Sequence, residues 1–291
     1  MKNTQLETNS RVSMKKTKSL GIGKLVAYIM LTLWAFTTIY PLVWVLMNSF
    51  KPSNDIILNS FNLPSSFNLM NYKNAFTKMS IGRGYVNSLI ISGTVVVFVV
   101  LFGGLAAYIL ARFEFKGKKV IYTALLGSLL FPAFATVVPV FVMLYKMNLI
   151  NKHVGLILPQ VAGNLSFAII VLMGFMKTIP MELEEAGIVE GCNTWQVYTK
   201  IIAPISKSSF ATVAIFTFLW SYNDLFLSLI ILRTKSVQPI NVLLNEISSQ
   251  YGTDYGLMTA VIAIIIIPVM AVYLAAQQFI IKGLTAGAIK G

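Results

Sequence analysis

The sequence predicts an all-α, polytopic membrane protein with six transmembrane helices. Three observations carry that expectation. Of 291 residues, 56% are hydrophobic and only 11% are charged, where soluble domains carry about 25% charged residues. Six apolar runs are long enough to cross a hydrocarbon core of ~30 Å, which takes about 20 helical residues. The basic residues flank those runs and do not cluster in one patch, so a net charge of +13 points to membrane topology and not to nucleic acid.

The runs lie near 25–47, 86–110, 120–145, 155–176, 208–232 and 257–281. Each is expected to be helical, because an unpaired backbone group in lipid costs several kcal/mol. A β-barrel would show short alternating segments instead. No small-residue cleavage site follows the first run, which is also long for a signal peptide, so it is expected to remain as an anchor. "FPAFATVVP" puts Pro132 and Pro139 in the third run, where prolines mark kinks of the kind transporters use.

Orientation follows from Lys and Arg. Fifteen of the 23 fall before the first run, after the second, between the fourth and fifth, and after the sixth, which leaves eight on the other side. The richer side is expected to be cytoplasmic, with both termini inside. The chain then reads as a Lys-rich segment (1–24), a membrane domain (25–281) and a short tail (282–291). The external segment 48–84 carries "KPSNDI" and "NLPSS" and reads as ordered and turn-rich.

One polar stretch between runs four and five departs from the rest. Four of the ten acidic residues, Glu182, Glu184, Glu185 and Glu190, fall within nine positions. Thr178 is a candidate helix cap and Pro180 suits a first turn. The glutamates then sit where the helix dipole favours negative charge. Gly191 permits a sharp turn. "NTWQVYTKII" continues with apolar residues at helical spacing, and Pro204 ends it. The spacing predicts two short helices about a glycine turn on the cytoplasmic face. An interfacial amphipathic loop is the alternative. Such loops favour Lys and Arg against anionic lipid, so an acidic helix fits a basic protein surface better.

This stretch resembles the Glu-Ala-Ala loop of permease subunits of binding-protein-dependent ABC importers. Glu185, Ala186 and Gly187 take its first three positions, Gly191 its glycine, and Ile201 to Pro204 its Ile-x-Leu-Pro end. Gly187 stands where the pattern has a second Ala, and Ala203 where it has Leu. "YNDLFLSLIIL" looks like the Trp-Asn-Asp/Glu segment of the carbohydrate branch, with Tyr222 in the Trp place. The ending "GLTAGAIKG" is similar to the tail of the maltose-type second permease. The resemblance implies the type I ABC importer permease fold, in the cytoplasmic (inner) membrane. It implies a coupling loop over 178–204 that docks on an ATPase, with Glu182, Glu184, Glu185, Ala186, Gly187, Gly191 and Pro204 as its residues. It also implies a second permease subunit, two ABC ATPase subunits and an extracellular sugar-binding protein, with ATP bound by the partners.

The chain is expected to be non-catalytic. No G-x-x-x-x-G-K-[ST] phosphate loop occurs,. A single histidine, His153, excludes a histidine-based metal cluster and reads as a solvated loop residue. Cys192, the one cysteine, carries no catalytic pattern. Asp224 differs, because an ionisable group inside a span needs water, a partner or a ligand. With Tyr222 and Asn223 it offers the polar groups and aromatic face that a sugar requires. A structural polar pair between helices is the competing reading. Asn87, Asn164 and Ser166 also fall near spans; polar packing competes there too, and Asn87 is counted with the substrate path. An ion-driven secondary transporter with Asp224 as ion site is the rival class, although that class usually has more spans and inverted repeats.

Overall fold

The computed structural model describes residues 22–245 and 254–288. Most of the expected N-terminal segment and the last three residues of the tail lie outside the described residues. Among the described residues there is no β-strand. The chain divides into two compact units, residues 1–44 and 45–291. The first contains most of α1 (Ile22–Asn48), which is apolar and exposed over residues 22–43, as a helix with hydrocarbon around it would be.

The second unit begins with the segment expected outside the membrane. That segment, expected to be ordered and turn-rich, also carries two short helices, α2 (Ser53–Asn59) and α3 (Met70–Lys78). Lys51 is 4% exposed, and its ammonium donates to the carbonyls of Asn59, at 3.0 Å, and of Asn62. Asn71 donates to the carbonyls of Ser49 and Lys51. Ser53 donates to Asp254 at 2.6 Å, and Asp254 also accepts from the Leu257 N–H at the start of the last helix. Side chains thus satisfy the backbone groups that irregular chain leaves unpaired.

The expected spans two, four and six appear as single helices, α4 (Ile81–Arg112), α7 (His153–Met176) and α12 (Tyr255–Ala288). Together with α1 they are, among the described residues, the four single helices long and apolar enough to cross a membrane. Helix α12 carries residues 282–288 of the expected tail. His153 is half-buried at the start of α7, with Nε2 3.1 Å from the Val237 carbonyl, and is not the solvated residue expected.

The runs expected as spans three and five are each divided into two shorter helices. The third divides into α5 (Lys118–Ser128) and α6 (Ala133–Lys146). Before the break, the N–H groups of Leu129, Leu130 and Phe131 turn to carbonyls three residues back. Pro132 follows in extended conformation, and the residue before a proline is driven out of the α region. The fifth divides into α10 (Lys207–Asn223) and α11 (Leu225–Ile231) at Asp224, whose ψ is 86°.

The core lies between α4, α7 and α10. Gly103 approaches Ala168 so closely that a Cβ on it would sit 3.0 Å from the alanine methyl. Small residues of this kind let spanning helices meet where lipid offers no hydrophobic driving force between them. Val95, Val99, Ala107, Leu172 and Val213 fill the seam. A second cluster around Ile81, Tyr222, Ile240 and Val261 joins α3, α4, α10 and α12.

Candidate functional site

The acidic stretch forms two helices about a tight turn. Helix α8 (Glu182–Val189) starts with three glutamates in its first turn, the placement its dipole favours. Thr178 does not cap it: the hydroxyl donates back to Phe175 at 2.7 Å, and Met181 is the N-cap. Gly191 turns the chain with φ +88°, a left-handed conformation that glycine adopts without penalty. Asn193 then caps α9 (Thr194–Ile205) in a reciprocal box with Gln196, both bonds at 2.9 Å,. Within α9 the stretch Tyr198–Ile202 is π-helical. Pro204 does not end α9. The break comes at Ser206, where α9 and α10 meet at 76°.

Glu182, Glu185, Ala186 and Glu190 are exposed, as are Ile188, Val189 and Trp195. Gly187 is buried against α9, where a Cβ would lie 2.5 Å from Ile201 Cδ1. The glycine in the alanine position therefore permits close packing of α8 on α9. Glu184 departs from the other acids. It is 5% exposed, accepts from the Tyr108 hydroxyl at 3.1 Å and forms an ion pair with Nε of Arg112. Arg112 Nη2 also donates to the Ile179 carbonyl at 2.9 Å. The Tyr198 ring packs at a tilt against that of Tyr108, with ring centroids 5.2 Å apart, and burial raises the Tyr198 hydroxyl pKa above the usual value. The spacing of the acids gave no sign that Arg112, 72 positions earlier, holds one of them.

The second candidate site lies at the break in the fifth span. A cavity of about 1010 Å³ opens among α6, α7, α10 and α11, at the upper end of the size range of ligand sites. Asn223 and Asp224 line it. Asp224 Oδ2 accepts from Gln160 Nε2 at 2.8 Å. Its Oδ1 accepts from the Leu227 N–H at 3.1 Å and so caps α11. Gln160 Oε1 accepts from Ser221 at 2.6 Å. Phe134, Phe226 and Trp220 give the wall aromatic faces.

Tyr222 and Asn87 are not brought to this cavity. Tyr222 is 2% exposed and packs against Phe218, with ring centroids 5.4 Å apart. Its hydroxyl has no hydrogen-bond partner among the described residues. Asn87 donates to the carbonyls of Ser236 and Gln238 and secures the segment before the 3₁₀ turn Ile240–Val242. Asn164 lines the cavity and donates to the Gln160 carbonyl. Ser166 bonds Ser128 at 2.7 Å. Gln160 and Ser221 were missed, since neither stands out in an apolar run. Among the described residues no group of His, Cys, Asp and Glu could hold a metal ion.

Comparisons with known proteins agree with this architecture. The chain is 35% identical over 268 residues to the diacetylchitobiose uptake system permease protein NgcG of Streptomyces coelicolor, covering 91% of this chain and 88% of that one. It is 33% identical to the trehalose transport system permease protein SugB of Mycobacterium tuberculosis, covering 86% and 92%. Among solved structures it is similar to a chain of a bacterial ABC transporter involved in the import of the acidic polysaccharide alginate. That match has a TM-score of 0.78 at 22% identity and covers 88% of this chain and 96% of that one. Residues 99–286 match a single family profile, and the chain belongs to that family, the binding-protein-dependent transport system inner membrane components.

Proposed function

We propose that the chain is the permease subunit of an ATP-driven sugar importer and that α8 and α9 are the part that engages the ATPase. The observation that carries this is the paired-helix stretch itself. Its turn is fixed by Gly191, while Glu182, Glu185 and Glu190 stand exposed beside Trp195. An acidic face with an aromatic anchor fits a basic protein cleft. The names of its relatives, which transport diacetylchitobiose and trehalose, support a di- or oligosaccharide as cargo. A further solved relative is an alginate transporter in complex with a periplasmic protein carrying an alginate pentasaccharide. Two ATPases, a second permease and an external binding protein complete the assembly in this reading. ATP is bound by the partners.

The aromatic and amide groups of the cavity suit a sugar, whose hydroxyls take polar partners and whose C–H faces take rings. ATP closure of the ATPases would draw the paired helices with them and open the permease outward, with the basic loops and both termini inside. Replacing Glu185 tests the docking face. Glu185→Ala removes a charge-assisted contact worth about 1.5–3 kcal/mol, so ATPase recovered with the tagged permease should fall about ten- to a hundredfold in affinity. Membrane insertion should be unaffected. Recovery equal to wild type would mean that α8 does not dock.

A further inference from the structure

Of the four glutamates in the stretch, Glu184 alone is buried. It lies in the first turn of α8, and Arg112 in the last turn of α4. The positive end of one helix dipole and the negative end of the other are thus joined through side chains of matching charge. The Arg112 and Glu184 side chains are 8% and 7% exposed. Removing one partner of such a pair leaves a buried charge uncompensated, so the pair holds as a unit. Arg112 reaches further, because Nη2 also holds the Ile179 carbonyl at the entry to α8. Its planar fork takes both acceptors at once, which a lysine ammonium does less well.

We infer that Arg112 is the positioning residue through which movement of α8 reaches α4, by its joint hold on Glu184 and the Ile179 carbonyl. The inference rests on the importer reading and adds to it a direct route from the docking helix to a spanning helix. Tyr108 contributes a third contact from the same helix. Helix α4 in turn packs along α7 through Gly103 and Ala168, so the pull on Arg112 is delivered to the core. Within the acidic stretch the labour is then divided. Glu182, Glu185 and Glu190 face outward, and Glu184 faces the membrane helices.

The test is a double-mutant cycle with Arg112→Gln, Glu184→Gln and both, in the complex purified with its ATPase. The binding protein is used with the sugar it carries from the cell. Each variant is read for ATPase recovery and for stimulation of ATP turnover by that loaded binding protein. We expect each single variant to recover the ATPase but to lose stimulation by about fivefold or more. The double variant should be no worse than Arg112→Gln alone, since that variant already removes the contact to Glu184 along with the one to the Ile179 carbonyl. If Arg112→Gln gives no complex, Arg112→Lys is read in its place, with the same loss expected. Wild-type stimulation in the single variants, or losses that multiply in the double one, would overturn the inference. So would loss of ATPase recovery with stimulation intact in what remains, since that marks a seating role only. A wild-type complex that recovers no ATPase would instead defeat the importer reading beneath it.

Discussion

Asp224→Ala and Asp224→Asn separate two roles of one carboxylate. In Asp224→Ala two things are lost. The cap on α11, an acceptor 3.1 Å from the Leu227 N–H, is worth about 1 kcal/mol. Gln160, which is 5% exposed, is left with an unpaired amide N–H₂, at about 1–3 kcal/mol. The sum is about 2–4 kcal/mol, toward the lower end if the unfolded chain in lipid finds other partners. Scaled as for soluble domains of similar size, it is a fall in unfolding midpoint of roughly 4–16 °C. Asp224→Asn should cost far less. Its amide oxygen can cap α11, while its N–H₂ donates to a turned Gln160 whose own N–H₂ then faces the Ser221 hydroxyl, which can accept. Thermal unfolding of the purified permease in detergent measures both. An Ala variant within about 1 °C of wild type would refute the hydrogen-bond account. An Asn variant as unstable as Ala would show that charge, not pairing, holds the break. In transport, Asp224→Asn should raise the half-saturating sugar concentration or lower the maximal rate with assembly intact. Unchanged kinetics there and in Asn223→Ala would remove both residues from the sugar path.

Gly191→Val should destabilise the turn between α8 and α9 by at least about 1–2 kcal/mol, because φ is +88° and a β-branched residue resists that region. An added Cβ meets nothing within 4 Å, so a Gly191→Asn variant, which tolerates the conformation, should keep most wild-type ATPase recovery; equal loss in both would refute a purely backbone origin. Cys192, the sole cysteine, should resist a membrane-impermeant maleimide in intact cells and react once the inner face is opened. Labelling from outside would reverse the orientation. The purified chain alone should hydrolyse no ATP, and turnover free of other subunits would defeat the non-catalytic assignment.

The paired-helix stretch was legible because its signals are local. Three early glutamates and a glycine at the turn each act within four residues, whereas the Asn193–Gln196 capping box came only with the structure. The direction of Glu184 was not legible, because it depends on Arg112, 72 positions away in sequence. The break at Pro132 was foreshadowed by the proline itself, whereas the break at Asp224 was hidden for another reason. Hydropathy averaged over a span does not register one capping residue, and "FLWSYNDLFLSLII" is apolar enough on both sides to read as continuous. Tyr222, Asn223 and Asp224 were grouped by sequence. Successive residues on a helix point about 100° apart, and Tyr222 accordingly packs into the core while Asn223 and Asp224 meet the cavity. Gln160 became visible only once α7 lay beside the break.

In this reading, movement of a partner ATPase drives the permease through α8 and α9. Uptake of a panel of labelled oligosaccharides into proteoliposomes holding the whole complex tests it most directly. The vesicles carry no ion gradient, the loaded binding protein is outside and ATP is inside. Uptake is expected with ATP and not without it, and Glu185→Ala should lose uptake in step with its loss of ATPase docking. Uptake driven by an ion gradient in the absence of ATP, and abolished by Asp224→Asn, would contradict it.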